Sequence, residues 1–133
     1  MKILLDTNVF ISGIHWNGAS AEVLRLWFEG EFQLFISNSI LNEITRTLQN
    51  FKKPLSDEVI QKWKNLIIEK STLIEPTTFV RIVSDPDDDK FIDLAIEAKA
   101  DYIITQDNAL LKIEKYNGTK IISPYEFLKI IRK

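Results

Sequence analysis

Four carboxylates stand where buried chain meets polar turn or helix: Asp6 straight after Ile3-Leu4-Leu5, Glu43 between Ile40 and Ile44, Asp89 at the end of Asp85-Pro86-Asp87-Asp88-Asp89, and Asp107 after Tyr102-Ile103-Ile104-Thr105-Gln106. Asp93 follows Asp89 by one helical turn and is a further ligand candidate, with an ordinary surface acid as the alternative. Like charges within ~4–6 Å push one another's pKa values upward, so a fold rarely gathers acids for stability alone. Hard oxygen donors suit Mg²⁺ or Mn²⁺. Such a metal lowers the pKa of a bound water, polarises a phosphoryl group and stabilises a leaving oxygen. Each acid also has a plainer reading. Asp6 and Asp107 could be turn formers, and Glu43 a solvated helix residue beside Arg46 or Thr47. Asp89 could be a first-turn acid, with Asp85, Asp87 and Asp88 competing for its role. Asn8 and Thr105 are read as groups that orient the carboxylates, and Ser37 as a weaker candidate at the rim of the second strand.

The remaining composition narrows the chemistry. There are no cysteines and a single histidine, His15. Thiol nucleophiles, cysteine-ligated zinc and cleavage by a pair of imidazoles within one chain are therefore excluded. With 17 basic and 19 acidic residues the formal net charge is −2, opposite to the usual sign for a nucleic-acid binder. Clustered acids account for this, because their charge counts against the total until divalent cations meet it. Asp6 interrupts the N-terminal apolar run too early for a signal peptide, and no apolar run approaches the ~20 residues that span a bilayer. The expectation is a cytoplasmic chain with no membrane partner.

The elements that must position these acids follow from apolar patterning. Short apolar runs at Ile3–Leu5, Gln33–Ile36, Thr72–Ile74, Tyr102–Ile104 and Lys120–Ile122 read as five buried strands. Between them lie helical patterns: Ala21–Phe28 with Ser20 as N-cap and Gly30 at its end, a helix opened by Ser37 and Ser39 and broken at Lys53-Pro54, and one capped by Ser56. Two more run from about Asp89 to Lys99 and from the Ser123-Pro124-Tyr125-Glu126 capping box. Alternating strands and helices predict one α/β domain over 1–133, a three-layer sandwich around a mostly parallel five-stranded sheet. In such sheets sites form beyond the carboxyl ends of the strands. Asp6 and Asp107 fall there, and Asp89 and Glu43 lie near the same rim. Trp27, Phe28, Trp63 and Phe91 lie on apolar stripes and are assigned to the core. His15 and Trp16, expected in a polar loop, could stack on bases. Arg46, Lys52, Lys53, Lys112 and Lys115 could meet phosphates or simply form a solvated face.

Leu5-Asp6-Thr7-Asn8, Glu43, Asp89 and the Thr105-Gln106-Asp107 turn together resemble the PIN (PilT N-terminus) domain family across essentially the whole chain. The 18-residue step from Asp89 to Asp107 and the string Asp85-Pro86-Asp87-Asp88-Asp89-Lys90-Phe91 are similar to one subgroup of it. Gln106 departs from the Gly or Arg frequent there. The resemblance implies Mg²⁺ or Mn²⁺ dependence, with Asp6, Glu43, Asp89 and Asp107 catalytic. It further implies cleavage of single-stranded RNA leaving a 5′-phosphate, the toxin half of a toxin–antitoxin pair, and an antitoxin partner, and it is compatible with a homodimer. A housekeeping RNA-processing nuclease and an inactive RNA- or protein-binding module are the alternatives. A receiver domain lacks its acceptor aspartate here, since the third strand runs into Glu75-Pro76-Thr77. A haloacid-dehalogenase-like phosphatase lacks its second acid, since that position is Asn8.

Overall fold

The computed structural model describes residues 1–53, 55–81 and 86–132, with the side chains of Pro86 and Asp87 not described. The expected break at Pro54 and the competing acid Asp85 lie outside the described residues. A sheet runs in the order β3 (Ser71–Leu73), β2 (Gln33–Ile36), β1 (Lys2–Leu5), β4 (Tyr102–Ile104), β6 (Thr119–Ile122), β5 (Lys115–Tyr116). All neighbours are parallel except β5 and β6. The chain steps from β1 outward to β2 and β3, then returns past β1 to β4 and β6. The right-handed rule for parallel crossovers puts α1 (Thr7–His15), α2 (Ala19–Phe28), α3 (Asn38–Gln49) and α4 (Asp57–Glu69) on one face and α5 (Pro86–Ala98) on the other. The packing of α1 on α2 and α3, and of α3 on α4, is in keeping with this. α7 (Pro124–Ile131) packs against α2. The direction of winding reverses between β1 and β4, which opens a crevice at their carboxyl ends.

The inner strands β1 and β4 are apolar because both their faces are covered, whereas the edge strand β3, expected to be buried, leaves Thr72 and Leu73 exposed. Ile3, Leu4, Leu34, Ile36, Ile103 and Ile104 are essentially inaccessible, with Phe91 and Ile92 of α5 covering one face and Val9, Phe10 and Val23 the other. Ser37, Ser56 and Ser123 cap α3, α4 and α7 as their spacing predicts, each hydroxyl accepting from a backbone N–H three residues on. Among the described residues no helix is long and apolar enough to cross a membrane.

Four expectations are corrected. The stretch after Asp6 is not a loop but the helix α1, in which Thr7, Val9, Phe10 and Ile11 are buried and His15 is the last residue. α2 begins at Ala19 after Gly18, so Ser20 lies inside the helix rather than capping it. The sheet has six strands rather than five. The extra one, β5, pairs antiparallel with β6 across Asn117-Gly118, whose φ angles of 48° and 87° are those of a tight hairpin. Finally Phe28 is 53% exposed rather than in the core, with the Lys70 ammonium 4.8 Å above its ring. Trp27 turns inward in its place and donates its indole N–H to the Lys70 carbonyl at 2.9 Å.

Candidate active site

Asp6 leaves β1 in extended conformation and serves as the N-cap position of α1. Its backbone N–H donates to the Ile104 carbonyl at 3.0 Å, so the β1–β4 ladder continues to this residue. Just past β4 the Thr105 N–H donates to the Ile122 carbonyl at 2.9 Å. These bonds hold the two residues side by side. The Thr105 hydroxyl, wholly buried, donates to Asp6 Oδ2 at 2.7 Å and accepts from the Asp107 backbone N–H at 2.9 Å. Because that N–H can only donate, the hydroxyl proton must point at Asp6. Asp107 Oδ1 accepts from the Ala109 N–H at 3.3 Å, capping the short α6 (Asn108–Leu111). Asp107 Oδ2 is buried and has no hydrogen-bond partner among the described residues.

Burial holds the Asp6 carboxyl above the usual carboxylate range, and the charges of Asp107 and Glu43 push it further the same way. The Thr105 hydroxyl and the Asn8 backbone N–H pull in the other direction. Asn8 thus reaches Asp6 through its main chain, while the residue itself is exposed. The structure brings Asp6, Asp107 and Glu43 into one electrostatic neighbourhood. The Thr47 hydroxyl donates to the Glu43 backbone carbonyl at 2.8 Å, but among the described residues neither Arg46 nor Thr47 pairs with the Glu43 carboxylate. That carboxylate forms an ion pair with Lys90 of α5, both side chains being about three-quarters buried.

Asp89 and Asp93 form a second acidic pair along α5, exposed by only 5% and 6%. Burial also raises the Asp93 carboxyl; the Val80 N–H, donating to Asp93 Oδ1 at 2.7 Å, opposes this and the Asp89 charge adds to it. Both acids line a cavity of about 300 Å³ with Ser37, Glu75, Val80 and Lys90. Ser37 caps α3 there, and Glu75 accepts from the Asn38 N–H at 2.9 Å. Lys90 therefore stands between the two groups of acids, lining the cavity of one and pairing with a member of the other. Lys90 is marked in the sequence only by its place directly after Asp89, which assigns it no role.

The donor chemistry fits a hard divalent cation. Every candidate ligand is oxygen, Asp107 Oδ2 is a buried acceptor with no partner among the described residues, and burial with the charges of Asp107 and Glu43 disfavours the bare Asp6 carboxylate. Among the described residues no three acids close tightly enough to grip one ion as a cage. Mg²⁺ does not require that, since it is often held by one or two carboxylates and keeps several waters and substrate phosphate oxygens. Gln106 donates to the Ser20 hydroxyl at 3.4 Å and ties the Asp107 loop to α2, a contact a glycine could not make.

Comparison with known proteins agrees with this architecture. A family model described as a PIN domain matches residues 2–109. An uncharacterized protein of Methanocaldococcus jannaschii is 35% identical, over 100% of this chain and 93% of its own length. Among solved structures, VapBC2 from Rickettsia felis, bound to a DNA fragment from its promoter, is similar with a TM-score of 0.60. That likeness covers 91% of this chain and 97% of the other at 17% identity, and so speaks for the fold.

Proposed function

This chain belongs to the PIN domain family, and we propose that it is a divalent-metal-dependent endoribonuclease acting on single-stranded RNA. PIN domains are generally nucleases and generally use divalent metal ions. The observation that carries the reading is the hydrogen-bonded Asp6–Thr105–Asp107 chain at the β1–β4 crevice, with the buried Asp107 Oδ2 left without a partner among the described residues. Asp6 and Asp107 would hold Mg²⁺ or Mn²⁺, with Glu43 and Asp89 at the edges of the same crevice. The bound cation would supply charge to the phosphoryl oxygens and acidify a water. Thr105 fixes the Asp6 carboxylate by a directed hydrogen bond, so the ligand oxygen does not have to be reoriented during binding. Lys90 balances Glu43 and offers an ammonium beside the crevice to a phosphate. Asp93 is held by the Val80 N–H and takes part through its neighbour Asp89.

The biological setting we infer is that of a toxin restrained by an antitoxin protein, supported by likeness to a chain of a VapBC complex. Incubation with end-labelled single-stranded RNA and Mn²⁺ or Mg²⁺ tests the chemistry. The expected result is fragments with 5′-phosphates that vanish in EDTA and in Asp6→Asn. Cutting by Asp6→Asn at the wild-type rate would exclude the mechanism. Growth arrest on induction of the wild type, absent for Asp6→Asn, tests the toxin reading separately.

A further inference from the structure

A groove of about 350 Å³ runs along α3, lined by Glu43, Arg46, Thr47, Asn50 and Phe51. At its far end three aromatic rings meet. His15 stacks on Phe51 with centroids 4.2 Å apart and planes at 27°, and Trp16 packs edge-on against Phe51 at 5.5 Å. The His15 ring is fixed by its Nδ1–H donating to the Ile11 carbonyl at 3.0 Å, and the Trp16 main chain is fixed by its backbone N–H donating to the Ser12 carbonyl at 2.9 Å. Trp16 nevertheless remains 57% exposed. Arg46 is exposed, and among the described residues no carboxylate pairs with it. At one end of the groove is Glu43, whose charge is felt at Asp6. From Glu43 to Asn50 the helix rises about 10 Å, or roughly three stacked nucleotide steps of 3.4 Å.

We propose that His15, Trp16 and Phe51 form a stacking platform for one base of single-stranded RNA, two to three nucleotides from the bond that is cut, with Arg46 meeting a phosphate between them; this rests on the nuclease reading above. A pre-packed ring with an open face accepts any base, and the exposed Arg46 guanidinium in the groove wall, with no carboxylate paired to it among the described residues, suits a phosphate backbone better than an apolar peptide. The test is binding of a 12-nucleotide single-stranded RNA in EDTA, with the cut site mapped in Mn²⁺ and abasic nucleotides introduced singly around it. Stacking on an aromatic side chain is worth about 1–3 kcal/mol per base, so Trp16→Ala should weaken binding by about 5- to 150-fold while Trp16→Phe retains most of it. An abasic site two or three nucleotides from the cut should cost the wild type a similar factor and Trp16→Ala almost nothing. If Trp16→Ala and Arg46→Gln bind and cut as the wild type does, the platform is overturned and the nuclease reading stands. A wild type that neither binds nor cuts RNA overturns both.

Discussion

Thr105→Val isolates the hydroxyl that joins the two central acids. Valine keeps the shape of threonine at a position with no solvent exposure, so packing changes little. Two interactions are lost: the 2.7 Å bond to the Asp6 carboxylate and the 2.9 Å bond from the Asp107 N–H. A hydrogen bond to a charged group is worth about 1.5–3 kcal/mol, and a buried donor left unmade costs about 1–3 kcal/mol. The two share one hydroxyl and are not additive, and valine recovers some apolar burial. A net loss of about 2–4 kcal/mol follows, lowering Tm by roughly 8–15 °C for a domain of this size. Divalent-metal affinity should fall about 10- to 100-fold, as when a ligand loses the group that orients it. Thermal unfolding followed by circular dichroism, with Mn²⁺ titration on the folded variant, measures both. Thr105→Ser keeps the hydroxyl and should retain metal affinity, losing only about 1 kcal/mol with its methyl. Equal metal affinity in the wild type and Thr105→Val would refute the orienting role.

Other expectations follow from the same contacts. Because Asp6 is raised by burial and by Asp107 and Glu43, the folded chain keeps a proton that the unfolded chain releases near pH ~3.9. Without metal, stability is therefore greatest below that pH as far as Asp6 is concerned, falls as pH rises toward the raised value, and stays lower beyond it. Asp6→Asn should remove this component and be the more stable protein at neutral pH in EDTA, a pH series of urea melts being the check. Lys90→Met should destabilise the metal-free fold by about 1–2 kcal/mol, because Glu43 loses its partner in a mostly buried setting. Millimolar Mn²⁺ should recover more of that loss in the variant than it adds to the wild type, as read from the shift in Tm. Gly13→Ala should cost about 1–3 kcal/mol, since its Cβ would lie 2.6 Å from Leu24 Cδ1 and 2.9 Å from the Ser20 carbonyl where α1 crosses α2.

What sequence patterning reveals here depends on whether the cause is local. Asp6 and Asp107 were legible because each follows an apolar strand, and the order of strands and helices put both at one rim. The serine caps were legible because a cap acts within one turn. The helix α1 was not, because Asp6-Thr7-Asn8 carries turn chemistry as well as N-cap chemistry, and only burial of Val9, Phe10 and Ile11 decides between them. β5 is two residues long, too short for periodicity, although Asn117-Gly118 marks its hairpin. The Lys90–Glu43 pair joins residues from opposite faces of the sheet and leaves no local trace. Nor could patterning tell that Trp27 turns inward while Phe28 remains outside, since both lie near the edge of one apolar stripe.

Asp6 and Asp107 are proposed to hold a divalent cation between them. Titration of Mn²⁺ into the purified chain, followed by the loss of its free-ion electron spin resonance signal, tests this most directly. The wild type should take up Mn²⁺ at a site that Asp6→Asn and Asp107→Asn each weaken severely while remaining folded. Unchanged Mn²⁺ affinity in both folded variants would contradict it.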